Sequence, residues 1–221
     1  AHAPFETFAA FLQGLRDAPA AVYVVPMVCH TTLRVTAMAD LQRSATADEI
    51  AVMRSLLQEA LDAGAVGLST GTFYPPAAAA STEEIIGLGR ALTGSGALYA
   101  THLRDEADEV MSAMDEAFRI GRELDVPVVL SHHKVQQPRN FGLSETTLAH
   151  VRRTMQCQCV SLDCYPYTAG STMIRTDRGL IDGRVLIASS VPHPECAGRD
   201  LPDIAAEWGV PRDEAARRLQ P

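Results

Sequence analysis

Lysine is almost missing from this chain of 221 residues: Lys134 is the only one, and the other 18 of the 19 basic side chains are arginines. Against 27 acidic residues this leaves a net charge of −8 at pH 7, with no basic run to offset it. Nucleic acid and anionic membranes are poor partners for such a surface, because phosphate binding needs clustered cations that release counterions. The sequence also lacks an uninterrupted apolar run of the ~18 or more residues that a spanning helix requires, and a basic-then-apolar secretion signal at its start. A cytoplasmic location is the expectation. Cysteine is sparse and odd in number, with five residues at 29, 157, 159, 164 and 196 and no repeated spacing. Reduced thiols are expected in a chain too large to need stapling. Oligomeric state is not readable.

Nucleotide-binding signatures are absent too. No Gly-x-Gly-x-x-Gly turn follows the first apolar run, and no Gly-x-x-x-x-Gly-Lys-Ser/Thr loop occurs. An open dinucleotide-binding sheet therefore lacks its main sign. Gly87-Leu88-Gly89 falls inside a helical pattern, where it cradles nothing.

What is there is a 47% hydrophobic chain, able to bury a sizeable core, whose short apolar runs alternate with amphipathic stretches. Residues 21–28 read as a first strand. Thr46-Ala47-Asp48-Glu49 is a capping box opening a helix to about Ala63, which Gly64 stops. A strand over 65–68 follows, then a second capping box at Ser81-Thr82-Glu83-Glu84 before a helix that ends near Gly94 and Gly96. Residues 97–101 form a third strand and 105–124 a helix with Val110, Met114, Ala117 and Phe118 on one face. The fourth strand is 126–131, a helix spans about 144–155, the fifth strand is 160–165, and 185–188 makes a sixth after the irregular stretch 168–183. Strands separated by helices must run parallel and be covered on both faces. The fold expected is α/β, a (β/α)8 TIM-type barrel that is incomplete, with about five to six βα units where eight are needed. A first residue that is not Met, and an end at Pro221 just inside a helical pattern, point the same way.

In such barrels chemistry sits at the C-terminal ends of the strands. Polar groups gather there: His30 near the first strand, Ser69 to Tyr74 after the second, His102 after the third, His132-His133-Lys134 after the fourth, and Asp163 to Tyr167 after the fifth. His102 and His132 each follow a buried-looking strand, and neighbouring parallel strands lie ~4.8 Å apart, so the two imidazoles can converge on one Zn2+. Each is equally a polar strand end satisfied by a backbone partner, and the matched placement is what raises the metal site. Asp163 or Cys164 is a further candidate ligand, one only, because side chains alternate along a strand. Cys157 and Cys159 precede the fifth strand and belong to the opposite face. Lys134 offers an anion partner or a chemical role unavailable to guanidinium, or is a solvated loop residue. His133 points into the substrate space or outwards. Tyr74, Tyr165 and Ser171 can donate hydrogen bonds to a carboxylate or amide oxygen, although Tyr165-Pro166-Tyr167 taken alone reads more readily as aromatic packing at a barrel mouth. Arg104-Asp105-Glu106 reads as the charged opening of a helix, where acids suit the dipole.

Taken together, GAVGLSTGTFYPP (64–76), STEEII (81–86), ALYATHLRDEAD (97–108), VPVVLSHHKV (126–135) and SLDCYPYTAGSTM (161–173), with MVCHTTLR (27–34) upstream, closely resemble the D-aminoacylase or N-acyl-D-amino-acid deacylase family of the amidohydrolase superfamily. The likeness covers essentially the whole chain. It implies a zinc-dependent hydrolysis of an N-acyl-D-amino acid to a carboxylate and a D-amino acid, on a (β/α)8 barrel carrying a small β-domain. It implies His102 and His132 as ligands of the tightly held zinc, and Tyr74, His133, Lys134, Tyr165 and Ser171 as groups facing substrate or the developing oxyanion. The family's His-x-His pair and bridging cysteine fall upstream of the matched segment and its catalytic aspartate downstream, so no catalytic residue is assigned within residues 1–221. These residues are then the central part of the barrel, with flanking strands and small β-domain absent. Two other functions remain open: another amidohydrolase activity, such as N-acyl-D-glutamate or cyclic amide hydrolysis, and a non-catalytic truncated fragment. Arg175 and Arg178 are where a preference for acidic side chains would be sought.

Overall fold

A computed structural model of the chain describes residues 5–176 and 183–220. Two compact units divide them. The first runs to Val135 and resumes over Leu143–Tyr165; the second joins Gln136–Gly142 to the residues from Pro166 onward.

The first unit is a five-stranded, wholly parallel sheet whose spatial order, β1-β2-β3-β4-β5, repeats the chain order. Helix α1 (Phe8–Asp17) precedes β1 (Val28–Cys29), α2 (His30–Ala37) and α3 (Ala47–Ala63). Next come β2 (Gly67–Gly71), the short α4 (Pro75–Ala78), α5 (Thr82–Gly89) and β3 (Leu98–His102). Helix α6 (Val110–Leu124), β4 (Val128–Leu130), α7 (Ser144–Thr154) and β5 (Val160–Leu162) complete it. Sequential order without reversal is not the pattern of a doubly wound nucleotide fold, whose crevice arises where strand order reverses.

Local chemistry explains the elements that hold the site. Helix α3 starts at the expected box: Thr46 Oγ1 accepts from the Glu49 N–H at 3.3 Å and the Glu49 carboxylate from the Thr46 N–H at 2.8 Å. It ends on Gly64, whose φ of +116° suits a residue without Cβ. Helix α6 buries Val110, Ala113, Met114, Ala117, Phe118, Gly121 and Leu124 along one stripe. Each large apolar side chain among them contributes about 1.5–3 kcal/mol of burial. Gly121 lets α6 approach β4: a Cβ there would lie 2.2 Å from Val128 Cγ2, so Gly121→Ala would push apart the strand that carries His132.

Three sequence expectations change. The first strand shrinks to Val28–Cys29, with Val22, Tyr23, Val24 and Val25 exposed; Pro26 has no N–H and serves the sheet only by accepting from Val66 N–H at 3.0 Å. The helix expected from Asp105 begins at Val110, because Asp105 Oδ1 takes the N–H groups of Ala107 (2.8 Å) and Glu109 (3.1 Å) into a local turn that competes with helix. Residues 185–188 are no sixth parallel strand, since Leu186 makes only an isolated antiparallel bridge to Asp200.

The second unit has its own core of Ile187, Cys196, Leu201, Ile204, Ala205, Ala215, Ala216 and Leu219, built on α8 (Leu201–Trp208) and α9 (Arg212–Arg218). Among the described residues no helix is long and apolar enough to cross a membrane.

Candidate metal centre

Strand register brings the two histidines together. Gly71 pairs with His102, and Thr101 with Leu130, so His102 and His132 leave neighbouring strands at the same end of the sheet. His102 Nδ1 and His132 Nε2 face one another at 3.0 Å. At that separation the pair can share a proton or hold a cation, since two nitrogens ~2.0–2.1 Å from a tetrahedral zinc lie about 3.3 Å apart. Burial first, then repulsion from the neighbouring His132 and Lys134, pushes His102 down to about 3, which keeps its imidazole neutral and its lone pair available at neutral pH.

Glu106 completes a donor set with the two histidines, the group among the described residues able to hold a metal ion. Its side chain is 2% exposed. Lys134 Nζ donates to Glu106 Oε1 at 2.7 Å, to His132 Nδ1 at 2.9 Å and to the His132 carbonyl at 3.1 Å. Glu106 reads in the sequence as part of a helix start, but the Asp105 turn delays the helix to Val110 and the Glu106 side chain is buried. The available signal was its spacing, four residues after His102. Arg104 is structural as expected, its guanidinium bonded to Glu116 at 2.7 and 2.8 Å and to the carbonyls of Ala78 and Ala80.

The other candidates divide. Tyr74 joins the cluster, its ring centroid 5.0 Å from that of His102, and Phe73 lies 5.3 Å from the same ring. Lys134 Nζ sits 5.6 Å from the Tyr165 ring centroid, and burial, then the charge of Glu106, raises the Tyr165 phenol. His133 turns the other way. Thr147 Oγ1 of α7 donates to the Ser144 carbonyl (3.1 Å) and so accepts from His133 Nε2–H at 2.9 Å, leaving Nδ1 as a buried lone pair without a partner. Ser171 is exposed and belongs to the second unit, as does Arg175, while Arg178 lies outside the described residues.

Asp163 is no ligand here. Its Oδ1 accepts from the His132 N–H at 2.6 Å and its carbonyl from the His133 N–H at 2.7 Å. Those bonds hold His132 at φ +42°, a left-handed conformation uncommon for a residue with a side chain. Cys164 is exposed, as are Cys157 and Cys159 before β5, and none enters the donor set.

His30 is also removed from the rim. It is fully buried, with Nε2 3.0 Å from Glu84 Oε1 and Nδ1 without a partner. Arg34, equally buried, donates to the same oxygen and to the carbonyls of Pro76 (2.9 Å), Leu41 (3.1 Å) and Arg43 (2.8 Å), while Ala45 N–H reaches Glu84 Oε2 at 2.7 Å. Burial would raise the Glu84 carboxyl, but the donors His30, Arg34 and Ala45 outweigh it and hold it below the usual carboxylate range. The capping box at 81–84 is therefore half made: Ser81 Oγ accepts from Glu84 N–H at 3.2 Å, but the Glu84 side chain goes to this cluster.

No protein-family model matches the chain. It is 55% identical to D-aminoacylase of Alcaligenes xylosoxydans xylosoxydans over 98% of its own length and 45% of that protein's. The N-acyl-D-aspartate deacylase of the same organism is 54% identical over 98% of the chain and 44% of the relative, and its N-acyl-D-glutamate deacylase 40% over 98% and 45%. A D-aminoacylase crystal structure described as defining a novel subset of amidohydrolases superposes with a TM-score of 0.95, covering 98% of this chain and 46% of that one at 55% identity. The Bordetella bronchiseptica N-acyl-D-glutamate deacylase, complexed with zinc and a phosphonate mimic of the tetrahedral intermediate, gives 0.92 at 41% identity, covering 100% of this chain and 47% of that one. The chain thus spans about half the length of the relatives it matches, and over that span it is homologous to D-aminoacylase and to the N-acyl-D-amino-acid deacylases.

Proposed function

We propose that these residues form the central part of a (β/α)8 barrel whose zinc site hydrolyses N-acyl-D-amino acids, with flanking barrel strands and a small β-domain beyond them. The observation that carries this reading is the 3.0 Å approach of His102 Nδ1 and His132 Nε2 at the C-terminal ends of adjacent parallel strands. The names of the relatives support the substrate class, and the sequential sheet supports the barrel. His102 and His132 would hold zinc, which when bound supplies polarisation of the scissile carbonyl and a water of lowered pKa.

The chain's own residues then bind and orient. The Lys134 ammonium, held beside Tyr165, is the cation for the substrate carboxylate. Tyr74, packed on His102, borders the same space, and the motif resemblance alone puts Ser171 forward as a further hydroxyl donor for substrate. His133, as a substrate contact, would have to leave Thr147.

Metal analysis of the full-length protein with a panel of N-acyl amino acids tests the reading. Zinc retention and hydrolysis confined to D-isomers are expected. No hydrolysis of any D-isomer overturns it, and a strong preference for a cyclic amide replaces it with a different amidohydrolase activity. N-acyl-D-aspartate and N-acyl-D-glutamate in the same panel read the side-chain preference.

A further inference from the structure

The nitrogens that face one another, His102 Nδ1 and His132 Nε2, use one nitrogen of each ring. The other two both look at one carboxylate. His132 Nδ1 lies 3.3 Å from Glu106 Oε1, and His102 Nε2 lies 3.8 Å from Glu106 Oε2, the latter a charge contact rather than a hydrogen bond. A carboxylate this buried is costly unless paired, and Lys134 Nζ at 2.7 Å supplies the charge.

We infer that Glu106 is the positioning residue of the metal site, fixing both histidine ligands from behind, one oxygen towards the outward nitrogen of each ring. This rests on the zinc reading above. A metal-bound imidazole carries its proton on the nitrogen away from the metal, and an acceptor for that proton fixes the tautomer and raises the basicity of the ligand. In the arrangement described, the Lys134 ammonium can only donate to His132 Nδ1, so the ring proton sits on Nε2 and is given to His102 Nδ1. Zinc binding at that pair requires the His132 proton on Nδ1 instead. Glu106 Oε1 is the acceptor in place for it. The same shift withdraws an acceptor from Lys134, turning one of its N–H donors towards incoming substrate while the Glu106 ion pair keeps the ammonium where it is.

The zinc dissociation constant of the full-length protein, measured by competition with a chromophoric chelator, tests this. Glu106→Gln is expected to weaken zinc binding about 10–100-fold, with Glu106→Asp recovering part of the loss. The visible spectrum of the Co2+-substituted protein is expected to keep its band positions in Glu106→Gln, because the coordinating atoms are unchanged. Zinc affinity within twofold of wild type in a folded Glu106→Gln protein overturns the inference and leaves the zinc reading standing. A change in the Co2+ bands to another coordination number also overturns it, making Glu106 a ligand. Failure of the wild-type protein itself to bind zinc removes the zinc reading and this inference with it. Should Glu106→Gln fail to fold around an uncompensated Lys134, the comparison of Lys134→Met with Glu106→Gln/Lys134→Met gives the same quantity, and equal zinc affinities in that pair overturn the inference.

Discussion

Two clusters in the first unit use the same three kinds of side chain, a histidine, a carboxylate and a long cation, and do opposite things with them. At His30, Arg34 and Glu84 all three are sealed from solvent. The planar guanidinium of Arg34 reaches three carbonyls as well as the carboxylate and ties α2, the turn before α3 and the short α4 into one body. At His102, His132, Glu106 and Lys134 the carboxylate is as deep but the histidines are partly open, and the cation is a compact ammonium with three donors. Arginine closes the first cluster. In the second, lysine leaves two ring nitrogens facing each other, with only one proton between them. Similar residue types are sealed in one place and left partly open in the other, and the difference lies in the cation, a guanidinium that also ties backbone carbonyls against a compact ammonium.

Glu84→Gln breaks the comparison most forcefully. It leaves buried Arg34 uncompensated and is expected to cost about 3–5 kcal/mol, read as a lowered midpoint in urea denaturation; a loss under ~1 kcal/mol would show that the seal is not structural. His132→Ala is expected to abolish stoichiometric zinc retention while lowering that midpoint less than Glu84→Gln, and retained zinc would deny it the role of ligand. Lys134→Met is expected to raise KM for N-acyl-D-amino acids roughly 10–100-fold, the weight of a charged hydrogen bond of ~1.5–3 kcal/mol, with a smaller change in kcat. An unchanged KM would return Lys134 to a purely internal partner of Glu106.

Acid separates the clusters by onset. In the metal-free protein His102 is pushed down to about 3 from 6.5, so the unfolded chain binds the extra proton and stability falls as pH drops from 6.5 towards 3. Glu84 is depressed from 4.5, so its contribution is complete above 4.5 and is lost only as pH falls below it. The rim therefore feels acid before the seal does. Ring NMR signals of His102 that stay neutral down to pH 4 are expected; half-protonation near 6.5 would contradict the burial argument.

Much of this was legible in the sequence because it depends on local pattern. The alternation of apolar runs and amphipathic stretches yields a parallel sheet, and a histidine at or just past the C-terminal end of each of two adjacent strands reaches the same end of it. Residues whose role depends on competition for hydrogen bonds were not legible. Glu84 looked like the far half of a capping box and Glu106 like a helix-dipole acid, yet the side chain of each pairs with a cation distant in sequence. Asp163 looked like a ligand but holds the backbone of His132. His133 follows His132 in every pattern, and only the position of α7 shows that Thr147 claims it.

The backbone at His132 carries a consequence of its own. A φ of +42° is a place where glycine would rest easily and a side chain costs about 1–2 kcal/mol. His132→Gly should therefore relax the chain while removing one imidazole from the donor set, so that a screen for thermal tolerance alone would favour the variant. A side chain held where glycine would be easier marks His132 as a position to test for function rather than for stability.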